Sequence, residues 1–213
     1  MQLSGNIKLA NKVKFITLEG VDGAGKSTHI EFIKKYFTQN NIKFVMTREP
    51  GGTALGEKLR ELLLHDEMHP ETETLLMFAA RSEHIQKIIN PNLENNICVI
   101  SDRFTDATYA YQSGAKFVSK DKITQLMKWT HNDLVPDLTL LFDLPTEISI
   151  ERLNKSGVLD KFEREEKIFH DNIRKAYLDI AKKEKKRFRV IDSSKSIEVI
   201  QQKIKLILKK LFL

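Results

Sequence analysis

The stretch GVDGAGKST, residues 20–28, lies between the apolar run KFITLE at 14–19 and a segment with helical spacing. It fits the pattern G-x-x-x-x-G-K-[ST], with Gly20, Gly25, Lys26 and Ser27 in register. Glycines allow a tight turn in which successive N–H groups and a helix N-terminus attract phosphate oxygens. The stretch therefore predicts a strand, a phosphate-binding loop and a helix, in that order.

The residue types in this loop also indicate its ligand. Lys26 can reach the β- and γ-phosphates of a nucleoside triphosphate, and the Ser27 hydroxyl can ligate Mg²⁺. The alternative, a glycine turn with an incidental lysine, does not account for the strand and helix on either side. The predicted triphosphate-binding residues are Gly20, Val21, Asp22, Gly23, Ala24, Gly25, Lys26, Ser27 and Thr28.

Strand-like apolar runs alternate with helical patterns along the rest of the chain. This order predicts an α/β fold in which helices cover both faces of a parallel sheet. The 213 residues, 41% of them hydrophobic, suit one domain over 1–213, with 1–13 as a loose extension. The long helical stretch at 71–90 is expected to end at Pro91, and the apolar stripe of the last helix to pack against the sheet.

Composition bounds the location and the partners. Lysine and arginine number 35 against 29 acidic residues, and the net charge of +6 suits a nucleotide or a nucleic acid. The basic run KKEKKRFR at 182–189 is typical of a solvated helix end, so we predict no nucleic-acid partner. The sequence contains no signal-peptide pattern, no run of about 18 apolar residues and a single cysteine, Cys98. We therefore predict a cytoplasmic protein without membrane contact.

A phosphate loop does not by itself define a reaction. GTP-binding switches also need an Asn-Lys-x-Asp element for guanine, and neither NKVK at 11–14 nor NKSG at 154–157 provides it. A small kinase is therefore favoured. A kinase for another nucleotide or nucleoside, and a nucleotide-binding switch without transfer, remain the alternatives.

Three arginines are candidates for binding an anionic acceptor. Arg48 ends the second predicted strand in TREPGGT, Arg81 lies in the helix MFAARSEH, and Arg103 follows the third strand in SDRF. Ligands of open α/β sheets bind at the carboxyl edge, where these residues would converge. Each arginine taken alone fits a surface position equally well.

Taken together, several motifs resemble those of bacterial thymidylate kinase. FITLEGVDGAGKST, TREPGGT, FAAR, DRFTDATYAYQ, DKFE and IFHDNIRKAY follow in that family's order, from about Phe15 to the last helix. The resemblance implies transfer of the ATP γ-phosphoryl group to dTMP, giving dTDP and ADP, with Mg²⁺. It also implies a homodimer, and a three-layer P-loop NTPase fold with a five-stranded parallel sheet and a short lid at about 152–163.

The resemblance further implies roles for individual residues. Asp22 would hold the 3′-hydroxyl of dTMP, Arg48 and Arg103 would contact its phosphate, and Asp102 would lie near Mg²⁺. A structural cap is the alternative role for both carboxylates. The implied dTMP-binding residues are Asp22, Arg48, Met77, Phe78, Arg81, Arg103, Thr108, Tyr111 and Gln112. Among these, Arg81 would read the thymine edge and Tyr111 would disfavour a 2′-hydroxyl.

Two departures from the family pattern affect these expectations. The phenylalanine that stacks on thymine stands four residues before the base-reading arginine, where this chain has Met77, with Phe78 one residue later. Either Met77 packs on the base or the helix register differs. The lid offers Arg152, Lys155 and Lys161, and its two lysines occupy positions where arginines are commoner. They are the candidate lid cations for catalysis, although a lysine lacks the planar fork of an arginine.

Overall fold

The computed structural model describes residues 13–131, 133–156 and 160–212. Its centre is a parallel sheet of five strands in the order β2-β3-β1-β4-β5. The strands are β1 (Phe15–Glu19), β2 (Phe44–Arg48), β3 (Cys98–Asp102), β4 (Leu138–Asp143) and β5 (Phe188–Asp192). The predicted fold class is confirmed.

Helices follow the strands in the alternating order that the sequence indicates. The α-helices are α1 (Lys26–Gln39), α2 (Ala54–His65), α3 (Pro70–His84), α4 (Asn90–Glu94), α5 (Thr105–Thr108), α6 (Lys120–Thr130), α7 (Thr146–Ser156), α8 (Lys167–Lys183) and α9 (Ile197–Phe212). Two π-helical turns, Ile85–Ile89 and Tyr109–Ala115, continue α3 and α5. None of the described helices is long and apolar enough to cross a bilayer.

The central strand is buried on both faces, because successive side chains of a strand point to opposite sides. In β1, Ile16 and Leu18 belong to a core cluster that includes residues of α1 and α9. Phe15 instead packs in a second cluster with Ile85 and Ile89. Burial of Ile200, Ile204, Leu208 and Phe212 in the first cluster confirms that the last helix packs on the core.

The structure corrects one helix boundary and limits another prediction. Pro91 does not end the long helical stretch: the π-helical turn precedes it, and the proline lies in the first turn of α4, where its missing N–H is not needed. In the predicted lid at 152–163, the first five residues belong to α7, and residues 157–159 lie outside the described part. The predicted extension at 1–13 falls almost entirely outside it as well.

The register of the sheet brings functional candidates to one edge. Arg48, the last residue of β2, pairs with Asp102, the last residue of β3, and Asp102 pairs with Leu18 of β1. The phosphate loop begins two residues after Leu18. The strand pairing therefore brings Arg48, Asp102 and the phosphate loop together at the carboxyl edge of the sheet, as predicted.

Candidate active site

The loop at residues 20–28 has the conformation that its glycines permit. Gly20, Gly23 and Gly25 have φ values of 143°, 75° and 88°, which side-chain-bearing residues rarely adopt. A Cβ atom on Gly20 would lie 2.5 Å from the backbone oxygen of Phe142. Helix α1 begins at Lys26, so the loop leads directly into a helix N-terminus. This geometry suits a bound phosphate chain.

The loop forms one wall of a cavity of 510 Å³, here called the loop cavity. Its lining includes residues 22–28 of the loop, and also Arg48, Asp102 and Arg152. Gly20 and Val21 do not line it, but their carbonyl oxygens accept hydrogen bonds from Lys26 Nζ at 3.0 and 3.2 Å. Lys26 is only 8% exposed, and burial together with the charge of Arg103 lowers its pKa.

A possible cation position lies beside the loop. Asp102 Oδ1 is buried and has no hydrogen-bond partner among the described residues, while Ser27 is exposed; both line the loop cavity. The described part of the chain contains no cluster of three or more metal-ligating side chains. Mg²⁺ commonly takes only one or two protein oxygens and completes its shell with phosphate and water. The pair Ser27 and Asp102 therefore fits that ion.

Arg103 is the centre of a half-buried polar network. Its guanidinium donates hydrogen bonds to Asp22 Oδ1, to Tyr111 Oη at 2.8 Å and to Tyr177 Oη at 3.2 Å. The Tyr111 hydroxyl in turn donates to Asp22 Oδ2 at 2.6 Å. Burial opposes ionisation of Asp22, but Arg103 and Lys26 outweigh it and hold its pKa well below the usual range. Asp22 is thus a carboxylate fixed by a guanidinium and a phenol, with the charge of Lys26 nearby.

A second carboxylate, that of Glu19, binds two neighbours of Arg103. Arg103 has a φ of 71°, an uncommon value for a residue with a side chain. Glu19, at the end of β1, accepts hydrogen bonds from the next backbone N–H, of Phe104, at 2.7 Å and from Tyr177 Oη at 2.8 Å. Burial, with the nearby charge of Asp106, raises the pKa of Glu19 to about 8. The sequence reasoning did not single out Glu19, although it is a lone acid at the end of an apolar strand.

A second cavity of 80 Å³, here called the inner pocket, adjoins the loop cavity. Asp22, Glu49, Arg60 and Arg103 line both. The inner pocket is also lined by Met77, Arg81, Phe104, Thr108, Tyr111, Gln112 and Phe162. Most of the residues implied to bind dTMP therefore meet in one place.

Arg81 is held rigidly in this pocket. Its Nε donates to Glu49 Oε2 at 2.7 Å, its Nη2 donates to the Phe104 oxygen at 3.3 Å, and the guanidinium lies over the Phe78 and Phe104 rings. Glu49 also lies 2.8 Å from His84 Nδ1. Burial would raise the pKa of Glu49, but Arg81 and His84 lower it below the usual value. Arg81 Nη1 is buried without a partner in the described structure, so one donor is left for a ligand.

Met77 and Phe78, the two candidates for packing on the thymine ring, lie in different places. Met77 lines the inner pocket, four residues before Arg81 and on the same helix face. Phe78 is 2% exposed, packs with Val118 and Ile123, and does not line either cavity. Of the two side chains, Met77 lines the inner pocket while the Phe78 ring lies against the Arg81 guanidinium, and contact of either with dTMP stays a prediction.

The predicted cations divide into two groups. Arg48 and Arg152 line the loop cavity, where Arg48 pairs with Glu57 at 2.7 Å and Arg152 Nη1 donates to the Gly23 oxygen at 3.3 Å. Lys155 is exposed and pairs with Glu151. Lys161 is buried and pairs with Glu73 at 3.0 Å. Neither lysine lines the two cavities, so the structure does not bring the predicted catalytic lysines to the site.

The loop cavity is also lined by residues that the sequence did not single out, among them Arg60, Glu49 and Glu163. Arg60 of α2 lines both cavities, and its Nη1 donates to the Pro50 oxygen at 3.0 Å. Glu49 fixes Arg81, as described above. Glu163 lines the loop cavity, and burial raises its pKa. Arg60 had a weak signal, as one of the charged residues in the leucine-rich segment KLRELLL at 58–64.

Comparisons with known proteins agree on one family. The family model described as thymidylate kinase matches residues 18–204. The chain is 54% identical over 191 residues to a thymidylate kinase of Methylobacillus flagellatus, covering 90% of this chain and 94% of that protein. It is 53% identical over 194 residues to one of Janthinobacterium sp., covering 91% and 95%. The crystal structure of thymidylate kinase from Ehrlichia chaffeensis matches with a TM-score of 0.74 and 33% identity, over 92% of this chain and 98% of that one.

Proposed function

The chain belongs to the thymidylate kinase family, and we propose that it transfers the γ-phosphoryl group of ATP to dTMP, giving dTDP and ADP. One observation carries this proposal: the loop cavity and the inner pocket adjoin and share Asp22, Arg60 and Arg103. A donor phosphate in the first and an acceptor phosphate from the second would meet at those residues. A nucleotide-binding switch has no need of the second pocket.

The loop cavity is proposed to bind ATP. Lys26 would exchange its two loop carbonyls for phosphate oxygens, and the loop N–H groups would hold the remaining phosphate charge. Ser27 and Asp102 are the residues proposed to hold Mg²⁺. When bound, the ion would neutralise charge on the phosphates as the γ-group leaves.

The inner pocket is proposed to bind dTMP. The acceptor phosphate would contact Arg103, Arg48 and Arg60. Asp22 would accept a hydrogen bond from the 3′-hydroxyl group. The unpaired Arg81 Nη1 supports a hydrogen bond to the base, with Thr108 and Gln112 as further polar contacts. Tyr111 is fixed by Asp22 and Arg103, which supports its role in disfavouring a 2′-hydroxyl.

Transfer in such a site requires positioning more than proton chemistry. The acceptor phosphate is already an anion, so its oxygen attacks without a general base. Two anionic groups must be held in line, and the cations at the junction of the cavities reduce their repulsion. Arg152, which reaches the loop from α7, is the lid residue proposed to stabilise the transferring group.

An ADP-release assay with a panel of acceptors tests this function. With ATP and Mg²⁺, we expect fast turnover with dTMP, slower turnover with dUMP, and little with dCMP, dGMP, UMP or thymidine. The comparison of UMP with dUMP measures discrimination against the 2′-hydroxyl, the role proposed for Tyr111. Faster turnover with another acceptor would identify that compound as the preferred substrate. ATP binding without transfer to any acceptor would instead support a nucleotide-binding switch.

We further propose that the chain forms a homodimer. Leu75 of α3 and Trp129 of α6 are 55% and 85% exposed, and both line a shallow groove between these helices. Light scattering on the purified protein should give twice the mass of the chain, and Trp129→Lys should reduce it. The monomer mass at micromolar concentration would contradict the proposal.

The cytoplasmic location stays a prediction.

A further inference from the structure

A buried carboxylate lies directly behind the inner pocket. Glu73 of α3 has no exposed surface and lines neither cavity. Its Oε1 accepts a hydrogen bond from Gln112 Nε2 at 3.0 Å. Its Oε2 lies 2.9 Å from Lys116 Nζ and 3.0 Å from Lys161 Nζ. The two oxygens therefore have different partners, an amide on one side and two ammonium groups on the other.

This arrangement fixes the orientation of the Gln112 amide. A carboxylate accepts hydrogen bonds and does not donate them, so the NH₂ end of Gln112 must face Glu73. Gln112 also lines the inner pocket, and no hydrogen bond to its Oε1 is found in the described part of the chain. The amide oxygen is thus the end of Gln112 that remains for a ligand.

Two residues that line the pocket then carry polar groups of opposite character that have no partner in the described part of the chain. Arg81 Nη1 is an unpaired donor, and Gln112 Oε1 is an acceptor. Thymine carries a carbonyl at C4 beside an N–H at N3, which is the complementary pair. Cytosine carries an amino group at C4 beside an unprotonated N3, which opposes a donor to a donor and an acceptor to an acceptor. A buried polar group that is left unpaired in this way weakens binding strongly.

We propose that Glu73 is a positioning residue that sets base selectivity, by holding the Gln112 amide with its oxygen toward the base. The inference rests on the proposed function, because it assumes that the base of dTMP occupies the inner pocket. Glu73 itself does not touch the substrate. Its effect is to make Gln112 an acceptor, and so to favour a pyrimidine with N3–H.

The substitution Glu73→Gln tests this directly, because the two lysines determine how the new amide must lie. The ammonium groups of Lys116 and Lys161 donate hydrogen bonds and cannot accept one, so the carbonyl oxygen of Gln at position 73 takes the place of Oε2 and its NH₂ group takes the place of Oε1. Gln112 must then turn its oxygen toward residue 73 and its NH₂ toward the base. We expect kcat/KM for dTMP to fall about tenfold or more, and the ratio of dCMP to dTMP activity to rise about tenfold or more.

Controls separate amide orientation from loss of structure. Lys116→Met removes an ammonium group from the same carboxylate but leaves the Gln112 contact, so the dCMP to dTMP ratio should stay within about twofold of wild type. In a Gln112→Met background, Glu73→Gln should no longer change that ratio, because no amide remains to be turned. If Glu73→Gln does not fold, the charge-matched pair Glu73→Gln with Lys161→Met is compared with Lys161→Met alone.

The outcomes distinguish this inference from the proposed function. No transfer to dTMP by the wild-type protein would overturn the proposed function, and the inference with it. Normal wild-type activity with an unchanged ratio in folded Glu73→Gln would overturn the inference alone. An equal shift of the ratio in Lys116→Met would also overturn it, because that variant keeps the amide contact.

Discussion

The loop cavity and the inner pocket are built in different ways. The phosphate loop is a single run of nine residues, 20–28, and its recognition groups are mainly backbone N–H groups and one lysine. The inner pocket draws on residues from 22 to 162 of the chain, on helices and strand ends that only the fold brings together. Every residue except proline has a backbone N–H, so phosphate recognition requires little more than correctly spaced glycines. Base recognition requires particular side chains, each held by another.

The two sites also differ in how their charges are held. Lys26 is held by carbonyl oxygens that a phosphate can replace. Arg81 is held by the buried Glu49, and Gln112 by the buried Glu73. The first arrangement leaves the charge available to an incoming anion, whereas the second fixes the direction of a hydrogen bond. Affinity for phosphate and selectivity for the base therefore depend on separate sets of residues.

The largest expected effect is on the loop side. Lys26→Ala should lower kcat by about 10³-fold or more, because the lost ammonium neutralises charge on the transferred phosphate. Steady-state kinetics and a thermal melt check this, with Lys35→Ala, an exposed lysine on the same helix, as the control. Wild-type turnover in a folded Lys26→Ala protein would remove Lys26 from the mechanism.

The next effect lies at the junction of the two cavities. Arg60→Ala should lower kcat/KM for both substrates by about 10²-fold, because Arg60 lines both cavities. Lys58→Ala on the same helix, which is exposed, should change it by less than about twofold. A loss confined to one substrate would assign Arg60 to the cavity that binds that substrate.

A smaller effect is expected from the lid. Arg152→Ala should lower kcat by about tenfold or more, because Arg152 contacts the phosphate loop and lines its cavity. Lys155→Ala should leave kcat within about twofold, since Lys155 pairs with Glu151 in solvent. Equal losses in the two variants would mean that the lid rearranges enough to bring Lys155 to the transferring group.

The smallest effect is on stability and concerns the support of Arg103. Because the pKa of Glu19 is raised from the ordinary 4.5 to about 8, the neutral form contributes stability that is fully present below about pH 4.5. That contribution is lost as pH rises through about 8. Glu19→Gln keeps a neutral group at every pH. The Tm of the variant minus that of wild type should therefore increase by about 2–4 °C or more between pH 5 and pH 8.5. A constant difference in Tm across this range would show that Glu19 does not titrate there.

The same contrast explains how much of the site the sequence could predict. The fold class and the phosphate loop follow from local spacing, as do the strand-end positions of Arg48, Asp102 and Arg103. Arg60 gave only a weak signal and Glu49 none, because the role of Arg60 depends on its place between two cavities and that of Glu49 on its contact with Arg81. For Lys161 the sequence instead suggested a role that the fold does not support. Its position in the lid indicated catalysis, but it pairs with the buried Glu73.

Separate binding titrations of the two nucleotides test whether ATP and dTMP are bound by different cavities. Calorimetry with dTMP alone and with ATP and Mg²⁺ alone is performed on wild type, Lys26→Ala and Arg81→Lys, the last of which retains a cation beside Glu49. We expect Lys26→Ala to weaken ATP binding by about tenfold or more and to leave the Kd for dTMP within about twofold, and Arg81→Lys to do the reverse. If Arg81→Lys left dTMP binding intact, or if both variants weakened both nucleotides equally, the assignment of separate donor and acceptor cavities would be contradicted.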